Sequence, residues 1–188
     1  MESAATWPDN AAPGPGSLVD SMKHRQSRQA TRRGSPFLGK RVHDPYQARG
    51  KLRSATRCPD CGVQYRNGRW VWATAESRGL KQHRCPACRR IAEHYPAGEL
   101  VLAGSFMATH RKELLSIVAH VETLERTEHP LNRVMAVDSD GDEIIVSTTD
   151  LHLPHRLGHA LKDAWGGTLK THYDLDGYFT RVRWERDG

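Results

Sequence analysis

Four cysteines are the whole thiol complement of this 188-residue chain, and they fall into two pairs of identical spacing: Cys58-x2-Cys61 in RCPDCG and Cys85-x2-Cys88 in RCPACRR. Each pair reads as a knuckle whose neighbouring backbone amides point at sulfur, and two knuckles supply the four ligands of a tetrahedral zinc site. Four thiolates around Zn2+ leave surplus negative charge. The sequence opposes it in two ways. A helix is expected to open at the second pair, with its positive dipole end facing the metal, and Arg57, Arg84, Arg89 and Arg90 flank the knuckles. Structural zinc contributes about 10–16 kcal/mol in small finger peptides, enough to hold so short a unit. The expectation is one structural Zn2+ per chain, with His83 left spare. A redox dithiol pair and four unrelated core cysteines are the alternatives.

Between the pairs lies VQYR-NG-RWVW. Asn67-Gly68 supplies the two positive-φ residues of a type I′ hairpin turn. Pairing across it sets Arg66 against Arg69, Tyr65 against Trp70 and Val63 against Trp72, so Val63, Tyr65, Trp70 and Trp72 share a face. That face reads as the core of the cysteine unit or, at Trp70, as a base-stacking platform. Like charges directly opposed on a ribbon are mildly destabilising. A phosphate backbone would relieve that strain at Arg66 and Arg69, with Arg89 and Arg90 as further cations.

Other constellations are weaker. His152, His155 and His159 lie close together on an expected helix with Asp150 nearby, and could bind a metal or move protons. Histidines on a helix are usually surface residues. In DSDGDE, Gly141 falls fourth from Asp138 and the twelfth residue is Thr149, so the stretch is a hairpin turn and not a calcium loop. GxxxxGK[ST], GxGxxG, GxSxG and HExxH are all missing. The expectation is therefore a protein that is not an enzyme and has no nucleotide substrate.

The chain that carries these residues divides into three blocks. Residues 1–50 are rich in Ala, Pro, Gly, Ser and Arg without an apolar period, and read as a disordered basic arm. Residues 51–97 form the cysteine domain: knuckle, hairpin and ligand-bearing helix in a treble-clef or zinc-ribbon arrangement. Residues 98–187 read as an α+β domain. There GELVLAGSFM is strand-like, and 111–129 is a helix with Leu114, Ile117, Val118, Val121 and Leu124 inward. A hairpin surrounds DSDGD, and a second helix turns Leu153, Leu157, Ala160, Leu161 and Ala164 inward, with Pro154 in its first turn. The last strands pair around DLDG. The order helix, two strands, helix, two strands predicts a two-layer sandwich with both helices on one face. On its final strand Phe179, Arg181 and Arg183 alternate onto the open face, the combination by which sheets bind RNA.

Charge follows the same blocks. Residues 1–57 hold 11 Lys+Arg against 4 Asp+Glu, residues 58–96 hold 7 against 3, and residues 97–188 hold 10 against 15. The basic front half suits a polyanion and the acidic back half a different contact. No run of 18 apolar residues occurs, and the N-terminus lacks an apolar signal core. A cytoplasmic protein without disulfides is expected.

The stretches CPDCG, RNGRWVW, CPACRRI, EHPLNRVMAV, STTDLHLPHRLGHALKDAWGGTLKTHYD and RVRW resemble a bacterial family of small, functionally uncharacterised zinc proteins, often labelled ATPases. The resemblance covers roughly residues 40–187. That family is in turn distantly similar to the archaeal and eukaryotic adaptor that accompanies the large ribosomal subunit during export. This second likeness rests on the CxxC pairs, the stretch ending in Trp165-Gly166-Gly167 and the final basic strand. The resemblance implies association with ribosomal RNA or subunits, and the acidic 98–187 unit would then suit a ribosomal protein. A redox-sensitive zinc chaperone, a DNA-binding regulator and a metal-dependent hydrolase are the rival readings.

Overall fold

Asn67 and Gly68 carry φ of 50° and 82°, the left-handed pair that a two-residue hairpin loop requires. The flanking strands β2 (Gln64–Arg66) and β3 (Arg69–Val71) pair as Gln64–Val71, Tyr65–Trp70 and Arg66–Arg69, the expected register. Two further short strands, β1 (Thr56–Arg57) and β4 (Lys81–Gln82), complete a four-stranded sheet in the order β3-β2-β1-β4, with β1 and β4 parallel. Helix α1 (Pro86–Ala92) opens at the second cysteine pair. The computed structural model describes residues 44–46, 52, 56–73, 79–174 and 178–188. The arm expected over 1–50 lies outside them except at 44–46, as does much of the DLDG turn.

The rest of the described chain is α+β, with a mixed sheet. Strands β5 (Gly98–Ala103), β6 (Val134–Asp140), β7 (Glu143–Thr148), β8 (Thr168–Tyr173) and β9 (Thr180–Glu185) form one sheet in the order β6-β7-β5-β9-β8. The two strand pairs expected around the helices are thereby joined by a fifth, central strand. GELVLA lies at the centre, parallel to β9, and its apolar run Leu100–Ala103 is buried throughout, as a central strand requires. The strand does not extend through GSFM, because the chain turns at Gly104. A Cβ there would lie 2.1 Å from the Arg186 carbonyl oxygen, and its φ is 97°, so only glycine fits. Helix α2 (Ser105–Thr109) follows directly, then α3 (Arg111–Glu128).

Helix α4 (Leu153–Trp165) starts with Pro154 in its first turn. It packs with α3 on one sheet face, where Leu114, Val118, Leu153, Leu157 and Leu161 meet Leu100, Leu102, Ile144, Val146, Val182 and Trp184. Two inward stripes differ from expectation. In α4, Ala164 is exposed and Gly158 is buried instead. In α3, Leu124 is 57% exposed, while Glu122 and Glu125 are buried. Both carboxylates have partners. Glu122 Oε1 accepts from the Val134 amide at 3.1 Å, and Glu125 pairs with Arg156 and accepts from Asn132. Burial nevertheless holds the Glu122 carboxyl above the usual range, against the Val134 hydrogen bond and the charges of Arg126 and Arg133.

Two stability measurements follow. Leu157→Ala is expected to cost about 2–5 kcal/mol by cavity formation, and Leu124→Ala to stay within about 0.5 kcal/mol, both read from urea unfolding. Because the folded pKa of Glu122 is raised, its ionisation weakens the fold as pH climbs from the unfolded value of 4.5 through the folded one. Glu122→Gln keeps the acceptor for Val134 and removes that dependence. The variant should gain on the wild type between pH 4 and pH 7, and equal curves at both pH values would contradict this.

Candidate metal centre

The first knuckle closes as a tight turn in which the Cys58 amide donates to the Val63 carbonyl at 2.8 Å and the Gly62 amide to the Cys58 carbonyl at 3.0 Å. Cys85 caps α1 from an extended conformation, φ −68° and ψ 158°, and its sulfur accepts from the Cys88 amide at 3.5 Å. The Cys85 amide in turn donates to Cys58 Sγ at 3.3 Å. Backbone amides thus point at sulfur from within one knuckle and across the two.

All four ligand sulfurs lie within 4.8 Å of one another, and Cys61 and Cys85 Sγ are 3.7 Å apart. Zn–S bonds of about 2.3 Å place tetrahedral sulfurs about 3.8 Å apart, so the residues fit a four-coordinate, sulfur-preferring ion. Cys58 and Cys85 are wholly buried, Cys88 nearly so, and Cys61 partly exposed. Among the described residues no fifth side chain joins the cluster, and His83 is exposed. Without a cation the sulfurs compete for protons. Hydrogen bonds from the Cys85 and Cys88 thiols hold Cys61 far below the ordinary thiol range. The bond to Cys61 pushes Cys88 up to about 12 and raises Cys85 as well.

Comparison of the chain with family models, with curated proteins and with solved structures finds no match. The site is therefore read from its geometry.

The cation that answers the sulfurs is one that sequence spacing did not mark. Arg133, between α3 and β6, is 5% exposed. It donates from Nη2 to Cys61 Sγ at 3.2 Å and from Nη1 to Cys88 Sγ at 3.5 Å. Burial works against its charge, but the Cys61 hydrogen bond and the sulfur charges hold its pKa above the usual value. Its only sequence signal is the stretch EHPLNRVMAV, far from the knuckles. Trp72 completes the junction: its Nε1 donates to the Arg126 carbonyl at 2.7 Å, and the Arg126 and Arg133 guanidinium groups lie 5.6 and 5.8 Å from its ring.

The arginines nearest the cysteines in sequence are used differently. Arg84 pairs with Asp60 at 2.5 Å. Arg90, expected to meet phosphate, is 1% exposed and pairs with Asp44 at 2.5 Å. Its guanidinium lies 4.3 Å from the centre of the Tyr46 ring and 5.5 Å from that of Tyr178. Burial there removes it from any phosphate path. Arg89 is half-exposed, 3.8 Å from Glu93 and beside Tyr46.

The remaining candidates separate. Trp70 packs on the cysteine cluster and meets Tyr65 edge-on at 5.5 Å. Arg69 is exposed, and Arg66 donates to Gln64 Oε1 at 2.9 Å. On the open face of the large sheet, Arg181 binds Glu99 at 2.8 Å, Arg183 binds Glu143 at 2.7 Å, and Phe179 lies beside Arg181. The register gives that face Glu99, Asp138, Asp140, Glu143 and Glu185 against Lys170, Arg181 and Arg183. The histidines gather no metal geometry. His155 bonds the Tyr173 hydroxyl at 2.9 Å, and burial, then His159 and His152, holds it below the usual range. Asp150 accepts from the His152 and Leu153 amides, capping α4.

The exposure of Cys61 and its favoured thiolate set the order of thiol reactivity. With metal stripped by a chelator, iodoacetamide should modify Cys61 before Cys58, Cys85 or Cys88, as peptide mass spectrometry would show. Labelling that begins at Cys85 would contradict the geometry.

Proposed function

We propose that this chain is a non-enzymatic, zinc-stabilised RNA-binding protein that associates with ribosomal RNA or a ribosomal subunit. The metal is Zn2+, held by Cys58, Cys61, Cys85 and Cys88 in a treble-clef-like arrangement of knuckle, hairpin and ligand-bearing helix. A shell of four sulfurs leaves no open position for substrate, which is the mark of a structural site.

One observation carries the RNA reading: the register of the small sheet. Arg57 lies opposite Gln64, and Arg66 opposite Arg69. Gln64 and Arg66 are two apart on β2, so Arg57, Arg66 and Arg69 share the face opposite Trp70. Trp70 packs on the cysteine cluster, and on the opposite face the half-buried Arg57 and Arg66 and the exposed Arg69 offer three cations to a phosphate backbone around the buried Gln64. The basic block 1–57 would add sequence-independent attraction. The acidic 98–187 unit suits a basic ribosomal protein. No described helix is long and apolar enough to cross a membrane, and a membrane partner forms no part of the proposal. The ribosomal element rests on the family resemblance.

The test is a salt titration of binding to single-stranded RNA, with duplex DNA as competitor. Each phosphate contact contributes about −0.7 to the slope of log K against log salt. Arg69→Glu removes one cation and sets an anion opposite Arg66. It should weaken binding and flatten the slope by about 0.7 while raising the stability of the free protein by about 0.2–1 kcal/mol. Elemental analysis should give one zinc per chain, and the protein should co-sediment with ribosomal subunits in a sucrose gradient. Salt-independent RNA binding, or preference for the DNA competitor, would overturn the reading.

A further inference from the structure

Arg133 presents an unusual balance of charge. Among the described residues no carboxylate forms an ion pair with it, and yet it is 5% exposed. Its anionic contacts are sulfurs, one from each knuckle: Cys61 at 3.2 Å and Cys88 at 3.5 Å. The rest of the residue is fixed from the other side. Nε donates to the Pro130 carbonyl at 2.7 Å, its amide donates to Thr149 Oγ1 at 2.9 Å, and its carbonyl accepts from the Thr149 amide at 3.0 Å. The guanidinium is thus aimed at the sulfurs by the α+β part of the chain and cannot follow them if they move.

Resting on the zinc reading, we infer that Arg133 is a positioning residue that couples metal binding to the docking of the cysteine unit on the α+β part. Four metal-bound thiolates carry surplus negative charge, and a guanidinium bridging both knuckles answers part of it. When the metal leaves, nothing holds Cys61 Sγ and Cys88 Sγ at the spacing that the guanidinium fork bridges, and a buried guanidinium that loses its partners is a state that proteins avoid. The relief available is separation of the junction, which lets water reach Arg133 and frees Trp72 from the Arg126 carbonyl. The groove of about 320 Å3 lined by Trp72, Glu122, Thr123, Arg126 and Thr127 would open with it. Metal loading and docking are then one event.

The experiment uses the full chain as wild type, Arg133→Met and Arg133→Lys, with zinc affinity read by competition against a chromophoric chelator. Loss of an outer-shell partner to metal ligands typically costs 10–100-fold in affinity. Arg133→Met should fall in that range, and Arg133→Lys, which keeps the charge without the fork, should lie between it and wild type. Cobalt loaded in place of zinc should show its sulfur-to-metal charge-transfer band at lower energy in Arg133→Met, because the sulfurs lose hydrogen bonds. The Trp72 indole N–H, assigned by Trp72→Phe, should be protected from exchange in the zinc-loaded wild type and exposed after chelation. It should also be exposed in zinc-loaded Arg133→Met. Wild-type affinity with a protected indole in Arg133→Met would overturn the inference. Should that variant not fold, an indole that stays protected in the chelated wild type overturns it instead. A wild-type chain that binds no zinc or cobalt at all would fail the zinc reading itself, and this inference with it.

Discussion

Sulfurs held within 4.8 Å of one another cannot all ionise unless positive charge stands beside them, and the protein is arranged around that requirement. Each device supplies part of the answer. The Cys85 cap brings α1 amides to sulfur, the Cys85 amide crosses to Cys58, and Arg133 reaches in from a loop of the α+β part. These contributions differ in kind. Amides are short fixed dipoles and come with the knuckle fold, whereas a full guanidinium charge is taken from another part of the chain. That difference gives the cysteine unit a reason to stay where it is. The blocks read from the sequence as 51–97 and 98–187 belong to one compact unit spanning residues 42–188.

A second clasp works on the same helix. Arg90 leaves α1 on a wholly buried path, pairs with Asp44 and donates to the Tyr95 carbonyl at 3.1 Å, among the rings of Tyr46, Tyr95 and Tyr178. The Tyr46 hydroxyl donates to Glu93 at 2.5 Å, and burial with that carboxylate pushes its pKa up to about 12. A buried ion pair is weak evidence of stability, because desolvation offsets most of the attraction. What it fixes is geometry: the Arg90 charge is accommodated with Asp44 and Tyr46 seated on α1 and Tyr178 beside them. Two arginines therefore hold the junction from opposite directions, one answering sulfur and the other a carboxylate.

The parts legible in the sequence are those whose cause is local. The CxxC spacing, the Asn67-Gly68 turn with its register, the helix start at Cys85 and the tolerated Pro154 each depend on a few adjacent residues. Elements that depend on distant partners were not legible. GELVLA reads as a strand from its own residues, but its central place depends on β7 and β9 arriving on either side of it. Glu122 and Glu125 sit inside an otherwise apolar helix pattern because the Val134 amide, Asn132 and Arg156 come to meet them. Leu124 is left outside by the same rotation. Arg133 is the clearest instance, since nothing in its own neighbourhood distinguishes it from a surface arginine. Proximity misled in the opposite sense for Arg84 and Arg90, which stand next to cysteines and serve carboxylates.

The open face of the large sheet shows why its arginines are poorly placed for RNA. Val101 and Ala103 point to that side, yet they are 6% and 2% exposed, while the helical core lies wholly on the other side. Arg183 on β9 reaches across β5 to Glu143 on β7, and Arg181 folds onto Glu99. The aliphatic stems of such side chains cover apolar surface while their charged ends stay at the solvent edge, so these arginines serve as the lid that no helix provides. A phosphate bound there would have to take them from carboxylates on the same face and uncover the residues beneath. On the small sheet, Arg66 and Arg69 oppose each other across the hairpin, and a phosphate between them would relieve a repulsion. Any nucleic-acid contact on the large sheet would thus carry the cost of rearranging charges already in place.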